Sequence, residues 1–173
     1  MDTKVQVTIP TLETPRLALL PPDASHLHAW NAIYSDPEVM RHVGEPHDAR
    51  KSWDMLARSI GHWYLRGFGV WSVQVKETGA IVGRAGLMYP EGNPALEIGW
   101  VFAREAWGKG YASEVARAAL DHAFEVIKAP RVIARVHPAN AGSVAVAKKL
   151  GMTVDDAAST PDDLTLHIMN PLA

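Results

Sequence analysis

The chain has 173 residues, 47% of them apolar, with 17 Lys and Arg against 19 Asp and Glu for a formal net charge of -2. That suits one domain with a self-supporting core, and scattered basic residues give no electrostatic footprint for nucleic acid. The absence of cysteine excludes disulfides, thiolate metal sites and a covalent thiol nucleophile, and no run nears the ~20 apolar residues that span a bilayer. Met1 to Leu20 has no long apolar core behind a basic start, so no secretory signal is expected and a cytoplasmic location is the default.

Leu17, Leu19 and Leu20 predict a first strand, ended by Pro21-Pro22. Asp23 can cap a helix carrying Leu27, Trp30 and Ile33, which Ser35-Asp36-Pro37 breaks. A second helix is predicted from about Asp48 to Leu65, its apolar side marked by Trp53, Leu56, Ile60, Trp63 and Tyr64. These aromatics fit core packing; alternatively, part of this region and the loop from Met40 to His47 line a substrate entrance. Val70 to Val75 alternates, Lys76 to Gly79 turns, and Ala80 to Met88 returns as an antiparallel hairpin. Gly83 and Gly86 in its second strand suggest bulges or close backbone approach.

The most informative stretch follows. In Leu96 to Phe102 the apolar Leu96, Ile98, Trp100 and Phe102 share one face, and Glu97, Gly99 and Val101 share the other. From Ala112 the period becomes helical, with Val115, Ala116, Ala119, Ala123, Phe124 and Ile127 on one stripe. Gly108, Lys109 and Gly110 lie between the two patterns. Glycines let the backbone approach a ligand, and a helix's first turn offers unpaired N–H groups and partial positive charge, so this is an anion site, most naturally for phosphate. Arg131 to Val136 predicts a short buried strand. Asn140 is placed to cap a helix running to Leu150, and Met152 to Val154 and Leu164 to Met169 supply the last strands. Repeats and a second-domain boundary are absent.

Glu97-Ile-Gly-Trp-Val-Phe102 followed by Trp107-Gly-Lys-Gly-Tyr-Ala-Ser-Glu-Val115 resembles the GNAT acetyltransferases, and within them the RimJ/RimL-type branch that acetylates ribosomal-protein N-termini. Trp107, Gly110 and Ala112 occupy the fixed places of the superfamily's Arg/Gln-x-x-Gly-x-Gly/Ala pattern, Trp107 departing from its Arg/Gln. The resemblance continues in Pro138-Ala-Asn-Ala-Gly-Ser143 and Lys149-Leu-Gly-Met152, and begins in Thr14-Pro-Arg-Leu17 and Asp36-Pro-Glu-Val-Met40. It implies an α/β fold: a single domain over residues 1–173, core about 14–170, with a mixed, mostly antiparallel sheet flanked by helices on both faces. The sheet would splay between Leu96–Phe102 and Arg131–Val136, the gap where the family receives acetyl-CoA.

The same resemblance implies direct acetyl transfer from acetyl-CoA, as co-substrate, to a primary amine: a small amine or a protein N-terminus. Backbone amides from Gly108 to Ala112 would hold the diphosphate, with Lys109 as a supplementary charge and Trp107 opening the turn; Tyr111 has a hydroxyl near the phosphates, and the alternative that it simply packs is the better supported. Val101 and Phe102 would offer backbone hydrogen bonds to the pantetheine arm, and the amide of Val101 or its neighbour would polarise the thioester carbonyl. Glu97 is the candidate base, directly or through a water; the structural alternative is an ion pair with Arg84 or Arg104. Many members place a tyrosine acid where Ala147 stands, so Ser143 is the candidate proton donor to the thiolate. Asn140 would bind pantetheine or orient a water. Both residues also fit ordinary helix-start roles. The eight histidines show no metal-ligand spacing, so no metal is expected. A homodimer is an open expectation, and a non-catalytic acyl-CoA sensor is the alternative function.

Overall fold

Eight strands form one sheet: β1 (Leu12–Glu13), β2 (Leu17–Leu20), β3 (Val70–Val75), β4 (Ile81–Met88), β5 (Leu96–Phe102), β6 (Arg131–Val136), β7 (Thr153–Val154) and β8 (Leu164–Met169). Their spatial order is β1-β2-β3-β4-β5-β6-β8-β7. The computed structural model describes residues 8–170, so the first seven residues of the segment expected to lack a signal, and the last three of the chain, lie outside it. Every neighbouring pair is antiparallel except β5 and β6, which run parallel. Among the described residues the α-helices are α1 (Leu27–Tyr34), α2 (Pro37–Met40), α3 (Ala49–Arg66), α4 (Tyr111–Glu125) and α5 (Ala141–Lys149).

The alternation along β5 sorts the helices onto the two faces. Leu96, Ile98 and Phe102 pack with Val115, Ala116, Ala119 and Phe124 of α4, and with Ala147 of α5. On the other face Val101 packs with Ile33, Tyr34, Val39 and Met40, and Met88 of β4 joins Trp30 and Leu56. The expected α/β arrangement, a mixed sheet with helices on both sides, is the one observed.

Three indoles sit in the core, and each has its N–H satisfied, as buried tryptophan requires. Trp30 donates to Ser72 Oγ at 3.0 Å, Trp63 to the Val70 carbonyl at 2.8 Å and Trp71 to the Pro10 carbonyl at 2.7 Å. The apolar side expected of α3 is only partly right. Leu56 and Trp63 are buried, whereas Trp53, Ile60 and Tyr64 are exposed. The inward positions include two serines instead, Ser52 and Ser59, whose small side chains permit close packing and whose hydroxyls donate to Asn31 Oδ1 and the Met55 carbonyl. The helix restarts after the predicted break, because Pro37 is well suited to a first helical position and the Asp36 carboxylate accepts from the Glu38 amide.

Gly83 marks a close approach, as expected: a Cβ there would meet the Val101 carbonyl and the Phe102 ring at 2.6 Å. The register shift in this hairpin lies at Val73/Gln74.

Candidate active site

The ladder between β5 and β6 is short. Leu96 pairs with Val132 and Glu97 with Ile133, and the strands then part. On its other edge β5 stays paired with β4 throughout, from Met88↔Glu97 to Gly83↔Phe102. In this register the Ala103 amide donates to the Val82 carbonyl at 2.9 Å. Odd-numbered residues of β5 therefore exchange hydrogen bonds with β4, and Ile98, Trp100 and Phe102 turn their amides and carbonyls toward the gap. This directs the Val101 amide to Arg84, not to the gap, and leaves its neighbours Trp100 and Phe102 as edge groups. The Phe102 carbonyl already accepts from the Trp107 indole at 2.9 Å.

A cavity of about 510 Å³ occupies the opening. Its walls come from four places: β5 (Trp100, Val101, Phe102), the turn into α4 (Trp107, Gly108, Gly110, Tyr111, Ala112), the start of α5 (Asn140, Ser143), and α2 with the residues that follow it (Glu38, Val39, Arg41, His42, Val43). Gly108 and Gly110 have φ of 73° and 78°, the left-handed region that glycine adopts without strain. A Cβ on Gly108 would meet nothing within 4 Å, so its backbone is bare toward the opening. Gly110 is the N-cap of α4, and no side chain caps the helix. Its first-turn amides thus have no intrahelical acceptor and no capping one.

A network 98 residues apart in sequence fastens this turn. Glu114 accepts from Thr14 Oγ1 at 2.7 Å, from the Arg16 amide at 2.9 Å and from Arg16 Nε at 2.7 Å. The same guanidinium donates to the Lys109 carbonyl at 2.8 Å and lies 4.8 Å from the centre of the Tyr111 ring. Burial alone would raise the Glu114 carboxyl pKa; the Thr14 and Arg16 hydrogen bonds and the nearby positive charge outweigh it and bring it below the usual value.

At α5, the Asn140 side chain accepts from the Ser143 amide at 3.1 Å, so Asn140 caps the helix while also lining the cavity. Ser143 Oγ accepts from Trp100 Nε1 at 3.3 Å, a link across the gap between β5 and α5. Lys109 is exposed and outside the cavity wall; its ammonium lies 5.9 Å from the Tyr111 ring centre.

Glu97 lies elsewhere. It lines a second cavity of about 310 Å³, with Arg58, Arg84, Asn93 and Arg135 among its neighbours. It forms an ion pair, with a partner other than those anticipated: Arg135 Nη2 reaches Glu97 Oε2 at 3.2 Å, and Asn93 Nδ2 donates to the same oxygen at 3.0 Å. Neither bond uses Oε1. Glu97 also belongs to the last registered pair before the strands separate.

Sequence reasoning missed three parts of this arrangement. Trp100 counted only as an apolar residue, although it lines the cavity and holds Ser143. Thr14 and Arg16 stood in a quoted motif without a role. The cations around Glu97 lie on α3, β4 and β6, and no local pattern unites them. Of the loop from Met40 to His47, Arg41, His42 and Val43 line the first cavity. The rings of His42 and His137 stack at 5.0 Å. Arg104 Nε holds Asp36, the cap of α2, at 2.6 Å. Among the described residues no cluster of His, Cys, Asp and Glu could hold a metal ion.

Known proteins are similar to this chain in sequence and fold. The family profile for the acetyltransferase (GNAT) domain matches residues 16–153. An acetyltransferase structure from Agrobacterium tumefaciens superposes with a TM-score of 0.86 at 32% identity, covering 97% of this chain and 99% of that one. The uncharacterized protein YkkB of Bacillus subtilis is 34% identical over 137 residues, 75% of this chain and 77% of its own length. The uncharacterized N-acetyltransferase p20 of Bacillus licheniformis is 33% identical over 144 residues, 81% of this chain and 80% of its own. A strand that parts from its parallel neighbour beside a bare glycine turn, within a domain matched over most of its length, makes this chain a member of the GNAT acetyltransferase family and an acyltransferase.

Proposed function

We propose that the protein uses acetyl-CoA to acetylate a primary amine directly, on a small molecule or at a protein N-terminus. The observation that carries this reading is the uncapped start of α4, which opens with the bare Gly108 backbone onto a cavity continuing along the unpaired edge of β5. The residues fit the donor. Amides from Gly108 to Ala112 suit a diphosphate, the edge groups of Trp100 and Phe102 suit an amide-bearing arm, and about 510 Å³ is ample room. A relative from Aspergillus fumigatus, 33% identical over 83% of this chain, is named an FsC-acetyl coenzyme A-N(2)-transacetylase, which supports both donor and nitrogen acceptor. This chain spans 65% of that relative.

Bound acetyl-CoA supplies an activated acetyl group: a C–N bond to the amine forms, the C–S bond breaks, and the ammonium's protons pass to a base and to the departing thiolate. Glu97 Oε1, which takes neither the Arg135 nor the Asn93 bond, is the base that accepts a proton from the amine. Ser143, already oriented by Trp100 Nε1, has its own O–H available to donate to the thiolate. The amide of Trp100 or Phe102 is the donor facing a carbonyl oxygen in the gap.

The RimJ/RimL branch, a cytoplasmic location and a homodimer belong to the same proposal. For the branch, the structure of the ribosomal-protein-S5-alanine acetyltransferase of Vibrio fischeri has a TM-score of 0.75 at 16% identity, a likeness of fold alone.

Calorimetric titration with CoA and thiol release from acetyl-CoA across a panel of amines and N-terminal peptides test the reading together. Saturable CoA binding with amine-dependent thiol release is expected. Binding without release from any amine would favour the acyl-CoA sensor, and no binding would remove the donor site altogether.

A further inference from the structure

The second cavity holds more positive charge than its one carboxylate can balance. Arg58 comes from α3, Arg84 from β4 and Arg135 from β6, and Glu97 is the only acidic residue among them. Glu97 is committed to Arg135 at 3.2 Å. Arg84 Nε donates to the hydroxyl of buried Tyr34, a neutral partner, and its guanidinium lies 5.5 Å from that ring's centre and 5.9 Å from that of Trp30. Among the described residues neither Arg84 nor Arg58 has an acidic side chain within ion-pair distance. Two guanidiniums therefore lack a counter-ion in a cavity that also contains the candidate base.

Their field reaches the neighbouring imidazole. His47 has its pKa lowered, first by burial and then by the charges of Lys51, Arg84 and Arg58, with Asp48 opposing. His62, in the same wall, is spoken for: Nδ1 meets the Phe68 carbonyl at 2.8 Å and Nε2 accepts from the Tyr89 amide at 2.9 Å. Both of its ring nitrogens are thus engaged, which leaves Glu97 as the carboxylate with a free oxygen in this wall. Val70 and Met88 supply an apolar portion of the lining.

We infer that the acceptor is a small amine carrying an oxyanion, a carboxylate or a phosphate, with its nitrogen at Glu97 and its anionic group on Arg84 and Arg58. Planar guanidiniums recognise such groups through paired N–H donors. The same excess charge rejects polyamines, whose second ammonium would face Arg84 in place of an acid. A volume of about 310 Å³ lies at the low end for small-ligand cavities and suits a molecule of amino-acid size. This inference rests on the acetyltransferase reading above.

The test compares kcat/KM for matched acceptors: amino acids, their carboxamides, the corresponding aminophosphonates, and spermidine. The acid is expected to exceed its carboxamide by about tenfold or more, equivalent to at least ~1.4 kcal/mol, and spermidine to be poorest. Arg58→Gln, at an exposed helix position, and Arg84→Gln should each shrink the acid-to-amide ratio mainly through KM for the acid. Added salt should shrink it in the wild type. Thermal melts of the variants separate this effect from misfolding after Tyr34 loses its partner. A preference for aminophosphonates over carboxylates identifies phosphate as the source of the oxyanion and upholds the inference. Carboxamides or spermidine equal to the acids would overturn it and leave acetyl transfer intact. Failure of every amine, neutral ones and peptides included, despite CoA binding would overturn both.

Discussion

Cutting the Arg16–Glu114 contact tests whether residues near the N-terminus hold the donor turn in shape. Four contacts converge on this carboxylate: Thr14 Oγ1, the Arg16 amide, Arg16 Nε and Arg16 Nη2, the last at 2.6 Å. A hydrogen bond to a charged group contributes about 1.5–3 kcal/mol when shielded, and an exposed ion pair only about 0.2–1 kcal/mol. The Arg16 side chain is 50% exposed and that of Glu114 15%, so their coupling at pH 7 should be about 1–2 kcal/mol. A double-mutant cycle of Arg16→Met and Glu114→Gln, followed by urea denaturation, measures it. The coupling also has a defined pH course. The folded Glu114 pKa lies below its ordinary 4.5, so the stabilisation is fully present above the unfolded value and is lost as pH falls through the folded one. Because Arg16 also holds the Lys109 carbonyl, KM for acetyl-CoA should rise about tenfold in Arg16→Met, ~1.4 kcal/mol of lost donor binding. Coupling below about 0.5 kcal/mol, the level at which independent sites add, or an unchanged KM, would refute the claim that this network shapes the turn.

Three further substitutions probe the proposed chemistry. Glu97→Gln keeps an oxygen for Arg135 and Asn93 but cannot accept a proton; turnover should fall by about 10²–10⁴, the usual scale of general-base catalysis, with CoA affinity by calorimetry unchanged. Equal activity would remove Glu97 from the mechanism. Ser143→Ala leaves Trp100 Nε1 without its acceptor and should lower single-turnover acetyl transfer while the Asn140 cap persists; undiminished transfer would exclude Ser143 as the acid. Gly108→Ala meets no atom within 4 Å, so its only penalty is the left-handed backbone, about 1–2 kcal/mol. At this chain length that is a Tm loss of several degrees, at ~2–4 °C per kcal/mol, with weaker CoA binding and little change in kcat at saturating donor. A Tm equal to wild type would show that the turn relaxes out of the left-handed region.

The strand, turn and helix from Leu96 to Glu125 were legible because three independent local signals agree there. Side chains alternate along β5, glycines occupy positions with φ of 73° and 78°, and a stripe of small apolar residues lets α4 lie close on the sheet. The outer face of α3 misled for a complementary reason. Trp53, Ile60 and Tyr64 look like a core stripe by hydrophobicity, yet the face that meets α1 and the sheet includes Ser52 and Ser59. Packing distance decides the inward side there, and hydrophobicity carries no record of it. Thr14, Arg16 and Glu114 were out of reach because the contact joins two charges 98 residues apart.

The candidate site residues could be named one at a time from local pattern, but their distribution between two cavities could not be read that way. Alternation puts Glu97 and Trp100 on opposite faces of β5, and that much follows from the sequence. Face alone does not settle which cavity a residue lines, because Val101 shares Glu97's face yet lines the larger cavity beside Trp100; the division depends also on where β6 leaves β5, after Glu97↔Ile133, and on which helices cover each side. The strand thus presents Trp100 and its neighbours to the larger cavity and Glu97 to the smaller. A donor entering from the α4 turn and an acceptor entering past Arg84 would have to meet in the gap where β6 leaves β5, with no need to share a mouth. On that geometry donor and acceptor specificities separate physically. Changes at Arg58 or Arg84 should move acceptor KM without moving CoA affinity, and changes at Gly108 or Arg16 should do the reverse. Crossed effects of similar size would mean that the two cavities do not act as separate donor and acceptor sites.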